Sequence, residues 1–228
     1  MSAIDFERLS RDPAFQEMFR SGHRRRVARG QVILNEGDEP QSLYFIMSGA
    51  VAVQLVNWHG DDALLALMHS GEFFGEMGLF PGMKVRSATV RATLDSNLLE
   101  TPYATFVELT RKHPNLWLEL AGQLAQRLRS VNRRLAEMPH MQARDRVWLV
   151  VAELAEKIGF NGRNEEGVAL RVRREDLGKL AACSREAAGN ALKDLAAEGR
   201  VSLRGQTIVV LPKALGARQG APDAGAAA

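Results

Sequence analysis

Hydrophobic and polar positions alternate with different periods in different parts of the chain. Residues 3–20 and 103–138 place apolar side chains three and four residues apart, which predicts amphipathic helices. From about 27 to 101 the pattern changes to short β-rich runs that are broken by turn signals. Such runs are typical of a compact antiparallel sandwich or roll, so we expect an N-terminal β domain. The basic run from His23 to Arg26 is interpreted as a solvated turn.

Within residues 103–138 the apolar positions form a coiled-coil seam with alternating steps of four and three. The seam consists of Trp117, Ala121, Leu124, Leu128, Val131, Leu135 and Met138. Pro114 fits a helix start and Pro139 a helix stop, so we predict a long helix at 114–138. A seam of this kind packs either on its own domain or on the same helix of a second chain. Because one domain precedes the helix and another follows it, we favour a dimerisation helix.

Four further elements follow Pro139 and are predicted from their periodicity. They are an amphipathic helix, two shorter helices joined by a two-residue turn, and a hairpin, at residues 144–160, 173–181, 184–199 and 200–212. We place the hairpin turn at Arg204-Gly205. This order of elements is that of a winged helix-turn-helix, to which we assign residues 139–215. The Ala/Gly-rich residues 216–228 are expected to form a disordered tail.

Composition limits the classes of protein to which this chain can belong. Residues 139–228 hold 14 basic and 11 acidic residues, which accounts for the whole net charge of +3 and favours a polyanionic partner. The one cysteine, Cys183, excludes an internal disulfide and a cysteine-ligated cluster within one chain. No apolar run approaches the roughly 20 residues of a membrane helix, so we expect a cytoplasmic protein without membrane contact. Enzyme motifs and metal-ligand spacings are missing, so we expect neither an enzyme nor a metalloprotein.

The second helix of the helix-turn-helix has one face suited to DNA bases. Ser184 is a natural N-cap, while Ala188, Leu192 and Leu195 are placed to face inward. The exposed face is expected to carry Arg185, Glu186, Gly189, Asn190 and Lys193. Arginine can donate to guanine, glutamate can accept from cytosine, and asparagine can pair with adenine. This face, together with Ser184 at the start of the helix, is therefore the predicted DNA-binding surface, with Lys193 and Arg174 expected at phosphates.

The segment RREDLGKLAACSREAAGNALKDLAAEGRVSLRGQTIVV resembles the DNA-binding end of the CRP/FNR superfamily of bacterial regulators. The letters CSRE, the spaced LK.L and GQTIVV carry the resemblance. It implies that the family's base-contacting Arg-Glu pair is Arg185 and Glu186. The family's second base-contacting arginine falls on Asn190, so we expect an operator that differs from the family's at one position. Ala182 replaces the turn glycine, at an expected small cost.

A glycine-rich segment at residues 71–92, GEFFGEMGLFPGMKVRSATVRA, resembles the phosphate cassette of the same superfamily's cyclic-nucleotide domain. The resemblance implies a ligand site formed by Gly75, Glu76, Met77, Gly78, Leu79, Arg86 and Ser87. Glycines let backbone amides approach an anion, because a side chain there would block the approach. An arginine can fork onto phosphate oxygens, and the Ser87 hydroxyl can complete the shell. Glu76 can accept a hydrogen bond from a ribose 2′-hydroxyl.

The residues expected at the base follow from the same resemblance. In cyclic-AMP-binding members of the superfamily a Thr-Ser pair on the dimer helix meets the adenine, and alignment places Val131 and Asn132 there. Valine removes a hydroxyl, whereas asparagine keeps a donor and an acceptor. Another branch of the superfamily responds to cyclic di-GMP, and the basic run RSVNRR is compatible with a second phosphate. We favour cyclic AMP and keep cyclic di-GMP open.

The sequence thus predicts an α+β homodimeric transcription regulator controlled by a cyclic nucleotide. A jelly-roll-like β-roll at 1–113 would bind the nucleotide, the helix at 114–138 would dimerise, and the winged helix-turn-helix would bind DNA. The expected partners are a double-stranded DNA operator, a second copy of the chain and RNA polymerase. The alternative class is a cyclic-nucleotide module that acts through protein contacts. The helix-turn-helix with Arg185 and Glu186 argues against that alternative.

Overall fold

The computed structural model describes Leu9 and residues 11–56, 62–158, 163–164 and 167–216. The chain divides into two compact units, the first ending at Pro139 and the second beginning at His140. The division falls just after a long helix of the first unit, and each unit buries an apolar core of its own.

In the part of the first unit that the structure describes, eight strands form two four-stranded antiparallel sheets. The strands are β1 (His23–Val27), β2 (Val32–Leu34), β3 (Ser42–Ser48), β4 (Ala50–Val56), β5 (Asp62–His69), β6 (Phe73–Phe74), β7 (Thr89–Ala92) and β8 (Ser96–Pro102). Their order is β1-β8-β3-β6 in the first sheet and β2-β7-β4-β5 in the second. One apolar cluster joins Ile46 and Leu98 of the first sheet to Val51 and Val90 of the second. The predicted β domain is therefore confirmed.

The basic run at the start of this domain is an edge strand, so its interpretation as a turn was wrong. Strand β1 pairs antiparallel with β8, from His23 opposite Glu100 to Val27 opposite Ser96. Val27 is the one buried residue of β1, which is why the run shows no hydrophobic alternation. Charged side chains on an edge strand also discourage pairing with another chain.

Within the described residues, three helices cover the other face of the first sheet. They are α1 (Pro13–Ser21), α2 (Tyr103–Lys112) and α3 (Asn115–Glu137). One buried cluster joins all three helices to the sheet, and it includes Phe15, Phe106, Leu116, Phe45 and Phe73. Along β3, Phe45 faces the helices and Ile46 faces the second sheet, so both faces of this strand are buried.

The predicted helices are confirmed with different bounds. Helix α1 begins after Asp12, whose Oδ1 accepts a hydrogen bond from the Ala14 amide at 2.8 Å. The part of its prediction before Leu9 lies outside the described residues. The stretch at 103–138 is two helices, because α2 ends before Pro114 and α3 starts after it. Helix α3 ends ahead of a 3₁₀ turn that contains Pro139.

The predicted seam of α3 divides into a half that packs and a half that does not. Trp117 and Leu124 pack on the buried cluster of their own chain. Leu128, Val131 and Leu135 are instead 61%, 46% and 72% exposed. We call these three residues the exposed seam. The alternative in which the seam packs on its own domain therefore holds for the first half of the helix only.

The second unit is a helical core flanked by a small sheet. Its elements are α4 (Ala143–Ile158), β9 (Arg163–Asn164), β10 (Gly167–Arg171), α5 (Arg174–Leu180), α6 (Arg185–Ala197), β11 (Val201–Arg204), β12 (Thr207–Val210) and α7 (Pro212–Gly216). The strand order is β11-β12-β10-β9. The predicted helix, helix pair and hairpin are confirmed, whereas β9, β10 and α7 were not predicted, and Gly216, expected in the disordered tail, ends α7.

Two details at the end of this unit differ from expectation. The hairpin turn is Gly205-Gln206, one residue later than predicted, because Arg204 pairs with Thr207. Gly205 has φ of 60°, a left-handed conformation that a two-residue hairpin turn favours. Residues 217–228, which make up most of the predicted tail, lie outside the described residues.

Candidate functional site

The glycine-rich segment forms a tight turn directly after β6. Gly75 has φ of 73°, and a 3₁₀ helix follows at Glu76–Leu79. A side-chain carbon at Gly75 would lie 3.0 Å from Nη1 of Arg86 and 3.2 Å from Cδ1 of Leu34. Both the left-handed backbone and the close approach of Arg86 therefore require glycine at this position.

Arg86 is buried, with 7% of its surface exposed, and its guanidinium is held by the protein. Nη1 donates to the Gly75 carbonyl oxygen and to the Tyr103 hydroxyl, both at 2.8 Å. Nη2 donates to the Ser42 carbonyl oxygen at 2.8 Å. A guanidinium has five N–H donors, and no other hydrogen bond joins this one to a described residue. Two donors, one of them Nε–H, are thus left for a ligand.

Glu76 is also buried, with 6% exposed, but its partner is not Arg86. Its Oε1 lies 3.2 Å from Nη1 of Arg127 on α3, and Arg127 also donates to the Phe73 carbonyl oxygen. Nε of Arg127 is buried without a partner among the described residues. The carboxylate and Arg127 therefore connect the glycine-rich turn to the long helix.

These charged side chains line a small pocket of about 90 Å³ in the first unit. Six of the residues that were predicted to form a ligand site line it, namely Gly75, Glu76, Met77, Gly78, Arg86 and Ser87. Apolar side chains complete the wall, namely Leu34, Val53, Met68, Phe74, Val85 and Val90. The arrangement places a cation and a carboxylate beside an apolar surface, which suits a ligand with an anion, a hydroxyl and a flat ring.

Three of the predicted ligand residues do not line this pocket. Leu79 packs on the buried cluster of the helices, because the 3₁₀ turn directs its side chain away. Val131 and Asn132 are exposed on α3, about one helical turn beyond Arg127, which does line the pocket. Their role at the base remains a prediction.

Gly78 lines the pocket, but a side-chain carbon there would lie 2.5 Å from Pro40 and 2.6 Å from the Tyr103 hydroxyl. Packing inside the protein, and not access for an anion, explains this glycine.

Residues distant in sequence support the pocket and were missed by sequence reasoning. Gln123 of α3 is buried, accepts from the Phe73 amide at 2.8 Å and donates to the Gly71 carbonyl oxygen at 3.0 Å. Tyr103 holds Arg86, as described above. The signal for Gln123 was a polar residue one position before the apolar Leu124 of a helix, which is too weak to identify a contact.

In the second unit, α6 presents the predicted polar face to solvent. The Ser184 hydroxyl oxygen caps the helix by accepting from the Ala187 amide at 3.0 Å, as predicted. The inward residues Ala188, Leu192 and Leu195 are buried. The exposed side chains are Arg185, Glu186, Asn190 and Lys193. Gly189 is buried, contrary to expectation, because the side chain of Arg174 lies beside it.

The orientation of α6 is fixed by polar contacts at its preceding turn. Arg146 of α4 donates to the carbonyl oxygens of Ala181 and Ala182, at 2.8 and 3.2 Å. Ala182 has φ of 49°, a left-handed conformation that costs a residue with a side chain roughly 1–2 kcal/mol. The Arg173 guanidinium forks onto the buried carboxylate of Asp176, with both bonds at 2.8 Å. This hydrogen-bonded carboxylate raises the pKa of Arg173.

A groove runs beside the exposed face of α6, between α5, α6 and the β11–β12 hairpin. Its volume is about 370 Å³, and Arg174, Arg185 and Gln206 line it. Gln206 was not predicted, because its place in the turn depends on the hairpin register. The structure thus brings Arg174 and Arg185 to one surface that is suited to an extended polyanion.

Among the residues that the structure describes, no helix is both long and apolar enough to cross a bilayer. Within the same residues, no three His, Cys, Asp or Glu side chains are placed to share a metal ion.

Known proteins resemble this chain over both units. A family model, the cyclic nucleotide-binding domain, matches residues 24–113. The cAMP-activated global transcriptional regulator Vfr of Pseudomonas aeruginosa is 32% identical, over 82% of this chain and 89% of Vfr. The cAMP-activated regulator CRP of Pasteurella multocida is 29% identical, over 87% of this chain and 95% of CRP. The c-di-GMP responsive regulator CLP of Xanthomonas campestris has a similar structure, with a TM-score of 0.70 and 29% identity over 87% of this chain and 98% of CLP.

Proposed function

The chain belongs to the CRP/FNR superfamily of transcription regulators, and we propose that it binds operator DNA under the control of a cyclic nucleotide. The nucleotide occupies the pocket around Arg86, and the exposed face of α6 contacts the DNA. The relatives described above are regulators and not enzymes, so the protein acts by binding and carries out no catalysis. We place the protein in the cytoplasm and propose RNA polymerase as its protein partner.

The hydrogen bonding of the Arg86 guanidinium is the observation that supports a nucleotide ligand. Three protein acceptors hold its guanidinium, and two N–H donors remain for an outside acceptor. A cyclic phosphate offers oxygens that such a pair of donors can bind in a fork. Glu76 is the acceptor for the ribose hydroxyl, with Arg127 holding its carboxylate in place. Ser87 is exposed at the pocket and adds a hydroxyl donor to the phosphate.

Cyclic AMP is the first candidate ligand, and cyclic di-GMP is the second. Vfr and CRP, which match this chain over most of its length, are named as cAMP-activated. CLP, which shares the fold at 29% identity, is described as c-di-GMP responsive. Two exposed arginines of α3, Arg129 and Arg133, favour the second candidate because they could meet another phosphate. Val131 and Asn132 are proposed to contact the base in either case.

Titration calorimetry with cyclic AMP, cyclic GMP and cyclic di-GMP tests the ligand assignment. We expect one of these nucleotides to bind with a micromolar or lower Kd, and adenosine to bind far more weakly because it lacks the phosphate. Equal affinity for cyclic AMP and adenosine would contradict the role given to Arg86. The absence of heat with all three nucleotides would contradict the proposal as a whole.

Operator binding is tested by gel shift on a pseudo-palindromic DNA with half-sites about one helical turn apart. We expect a shift that a scrambled duplex of equal length and composition does not give. Addition of the bound nucleotide should change the affinity, in a direction that the experiment determines. A protein that binds nucleotide but shifts neither duplex would support the alternative, a regulatory module that acts through protein contacts.

The exposed seam supports a homodimer. Leu128, Val131 and Leu135 form an apolar stripe on α3 that no part of the described chain covers. Leu128→Glu would place a charge against its symmetry mate, where a buried charge without a partner is costly. Light scattering at micromolar concentration should then detect monomers, whereas Gln126→Glu, an exposed position on the same helix, should leave the dimer intact. A Leu128→Glu protein that remains dimeric would contradict this interface.

A further inference from the structure

Tyr103 lies behind the nucleotide pocket and touches the residue that is proposed to bind the phosphate. Its hydroxyl accepts from Nη1 of Arg86 at 2.8 Å and donates to the Gly75 carbonyl oxygen at 2.5 Å. Nη1 of Arg86 donates to that same carbonyl oxygen at 2.8 Å. The hydroxyl, the guanidinium and the carbonyl therefore form a closed triangle of hydrogen bonds.

Tyr103 does not reach the ligand space itself. Arg86 and Gly75 line the nucleotide pocket, whereas Tyr103 lines a separate groove with Leu79 and Arg111. The guanidinium thus lies between the phenol and the ligand space. Any effect of Tyr103 on a ligand must consequently pass through Arg86, Gly75 or Gly78, of which Arg86 carries the free donors.

The phenol is anchored independently of the pocket. Tyr103 is the first residue of α2, and its ring packs against the buried cluster of the helices. Its amide donates to the Gln41 carbonyl oxygen at 3.0 Å, and the next carbonyl along β3, that of Ser42, accepts from Nη2 of Arg86. The Arg86 guanidinium also lies over the ring, 5.8 Å from its centre. One rigid corner of the fold thereby fixes both terminal nitrogen atoms of the guanidinium, and with them the direction of the donors that remain at Nε and Nη2.

The protonation state of the phenol agrees with this role. Burial raises the pKa of Tyr103 above its ordinary value of 10.0, and the charge of Arg86 opposes that rise without cancelling it. The hydroxyl is therefore protonated near neutral pH and can donate to the Gly75 carbonyl oxygen while it accepts from Arg86.

We propose that Tyr103 is a positioning residue for the nucleotide phosphate, fixing the Arg86 guanidinium so that its remaining donors face the ligand. This inference rests on the proposed function of the pocket. Without the hydroxyl, Nη1 loses one of its two acceptors and the Gly75 carbonyl loses one of its two donors. The guanidinium then has fewer restraints on rotation, and the fork must be ordered when the ligand binds.

The chain offers a matched control, because Tyr44 and Tyr103 are its two tyrosines. The Tyr44 hydroxyl is also partly buried, but it donates to Glu100 at 2.7 Å and has no bond to Arg86. Tyr103→Phe should weaken nucleotide binding about tenfold in calorimetry, the effect of one hydrogen bond to a charged group. Tyr44→Phe should change the affinity less than about twofold. Cyclic AMP and cyclic di-GMP are used as parallel probes.

A spectroscopic measurement separates positioning from packing. Wild-type protein labelled with carbon-13 at the tyrosine Cζ gives two resonances, which Tyr44→Phe and Tyr103→Phe assign. Saturation with the bound nucleotide should shift the Tyr103 resonance, because the charge on its hydrogen-bond partner becomes neutralised by phosphate. The Tyr44 resonance should move much less. A tyrosine that only packs would show no such selective shift.

The outcomes distinguish this inference from the proposed function. If the wild-type protein binds neither nucleotide, both fail. If it binds and Tyr103→Phe binds equally well, the positioning role fails and the pocket assignment stands. If Tyr103→Phe does not fold, the spectra of wild type and Tyr44→Phe still decide, and an unchanged Tyr103 resonance at saturation overturns the role.

Discussion

The charged side chains of the nucleotide pocket and those of the recognition helix α6 differ in whether they already have partners. Arg86 and Glu76 are buried, and each is hydrogen-bonded inside the first unit. Arg185, Glu186 and Lys193 are exposed, and none makes a side-chain hydrogen bond to another described residue. The pocket is therefore ordered before a ligand arrives, whereas the charges of the helix are left for an outside partner.

This difference follows from the size of the two ligands. A small cyclic nucleotide provides few contacts, so a site that is already ordered loses little free energy on binding. DNA provides many phosphates, and exposed cations bind it through long-range attraction and counterion release. We accordingly expect substitutions in the pocket to change both stability and ligand affinity. Those on α6 should change DNA affinity alone.

Arg86→Leu should have the largest effect. The substitution removes the forked cation. The Gly75 carbonyl, the Ser42 carbonyl and the Tyr103 hydroxyl then lose the N–H groups that Arg86 donates to them. We expect nucleotide affinity to fall at least about a hundredfold and the free energy of unfolding to fall by about 2–4 kcal/mol. Calorimetry and denaturant unfolding measure the two quantities.

The matched control for this change is Arg91→Leu. Arg91 is exposed on β7 and donates to the Gly30 carbonyl oxygen, away from the pocket. The Arg91→Leu protein should retain wild-type nucleotide affinity. If Arg86→Leu is as stable as wild type, the guanidinium is not held by the three acceptors, and the contrast between the two sites disappears.

Arg185→Ala should have the next largest effect, and it should fall on DNA binding. If Arg185 forks onto guanine, its loss costs about 1–3 kcal/mol per half-site and relaxes discrimination at one base pair. Because Arg185 is exposed, the free energy of unfolding should change by less than about 0.5 kcal/mol. A series of operators with single base substitutions, measured at fixed salt, tests both statements.

Lys193→Ala provides the comparison on the same helix. A phosphate contact should weaken binding to all sequences alike and reduce the salt dependence by about one unit of slope. If Arg185→Ala instead lowers affinity equally for every operator, Arg185 binds phosphate. Base discrimination would then have to come from Glu186 or Asn190.

Glu76→Gln should have a smaller effect, which tests how the pocket carboxylate is used. The amide keeps the shape but weakens the bond to Arg127 and to a ribose hydroxyl. We expect about a tenfold loss of affinity for cyclic AMP and a smaller loss for its 2′-deoxy analogue. The same change at Glu72, which is buried and accepts from the His69 amide, should leave nucleotide affinity unchanged. Equal losses of affinity for cyclic AMP and its 2′-deoxy analogue would show that Glu76 does not contact the ribose 2′-hydroxyl.

The sequence was most informative where local pattern alone determines a structure. The Ser184 cap and the inward face of α6 each depend on residues a few positions apart, and both were predicted. Arg127 and Glu76 are 51 positions apart, and their pairing depends on how α3 packs on the first sheet. No local rule specifies such a contact. Glu76 makes this bond to Arg127 although Arg86 is much nearer to it in sequence.

The edge strand β1 and the contacts of Arg146 were missed for a related reason. Strand β1 lacks hydrophobic alternation because it lies at a sheet edge, so its sequence resembled a basic turn. Arg146 holds the carbonyls of a turn 35 and 36 positions away, and nothing in its own helix indicates that use. Sequence thus specified which residue types the sites need, and tertiary packing specified which partners hold them.

The two sites also differ in backbone, and this difference gives the last and smallest prediction. Each contains a left-handed turn residue, which is Gly75 in the pocket but Ala182 in the helix-turn-helix, with φ of 73° and 49°. Ala182 ends α5 in a Schellman arrangement, since the Cys183 amide donates to the Gly178 carbonyl oxygen at 2.9 Å. Ala182→Gly should therefore raise the free energy of unfolding by about 0.5–1 kcal/mol, the relieved strain exceeding the added chain entropy. Ala197→Gly, at an exposed position near the end of α6, should lower it by a similar amount because that residue is right-handed helical. Denaturant unfolding of both variants decides the matter, and a destabilised Ala182→Gly protein would mean that the turn is not strained.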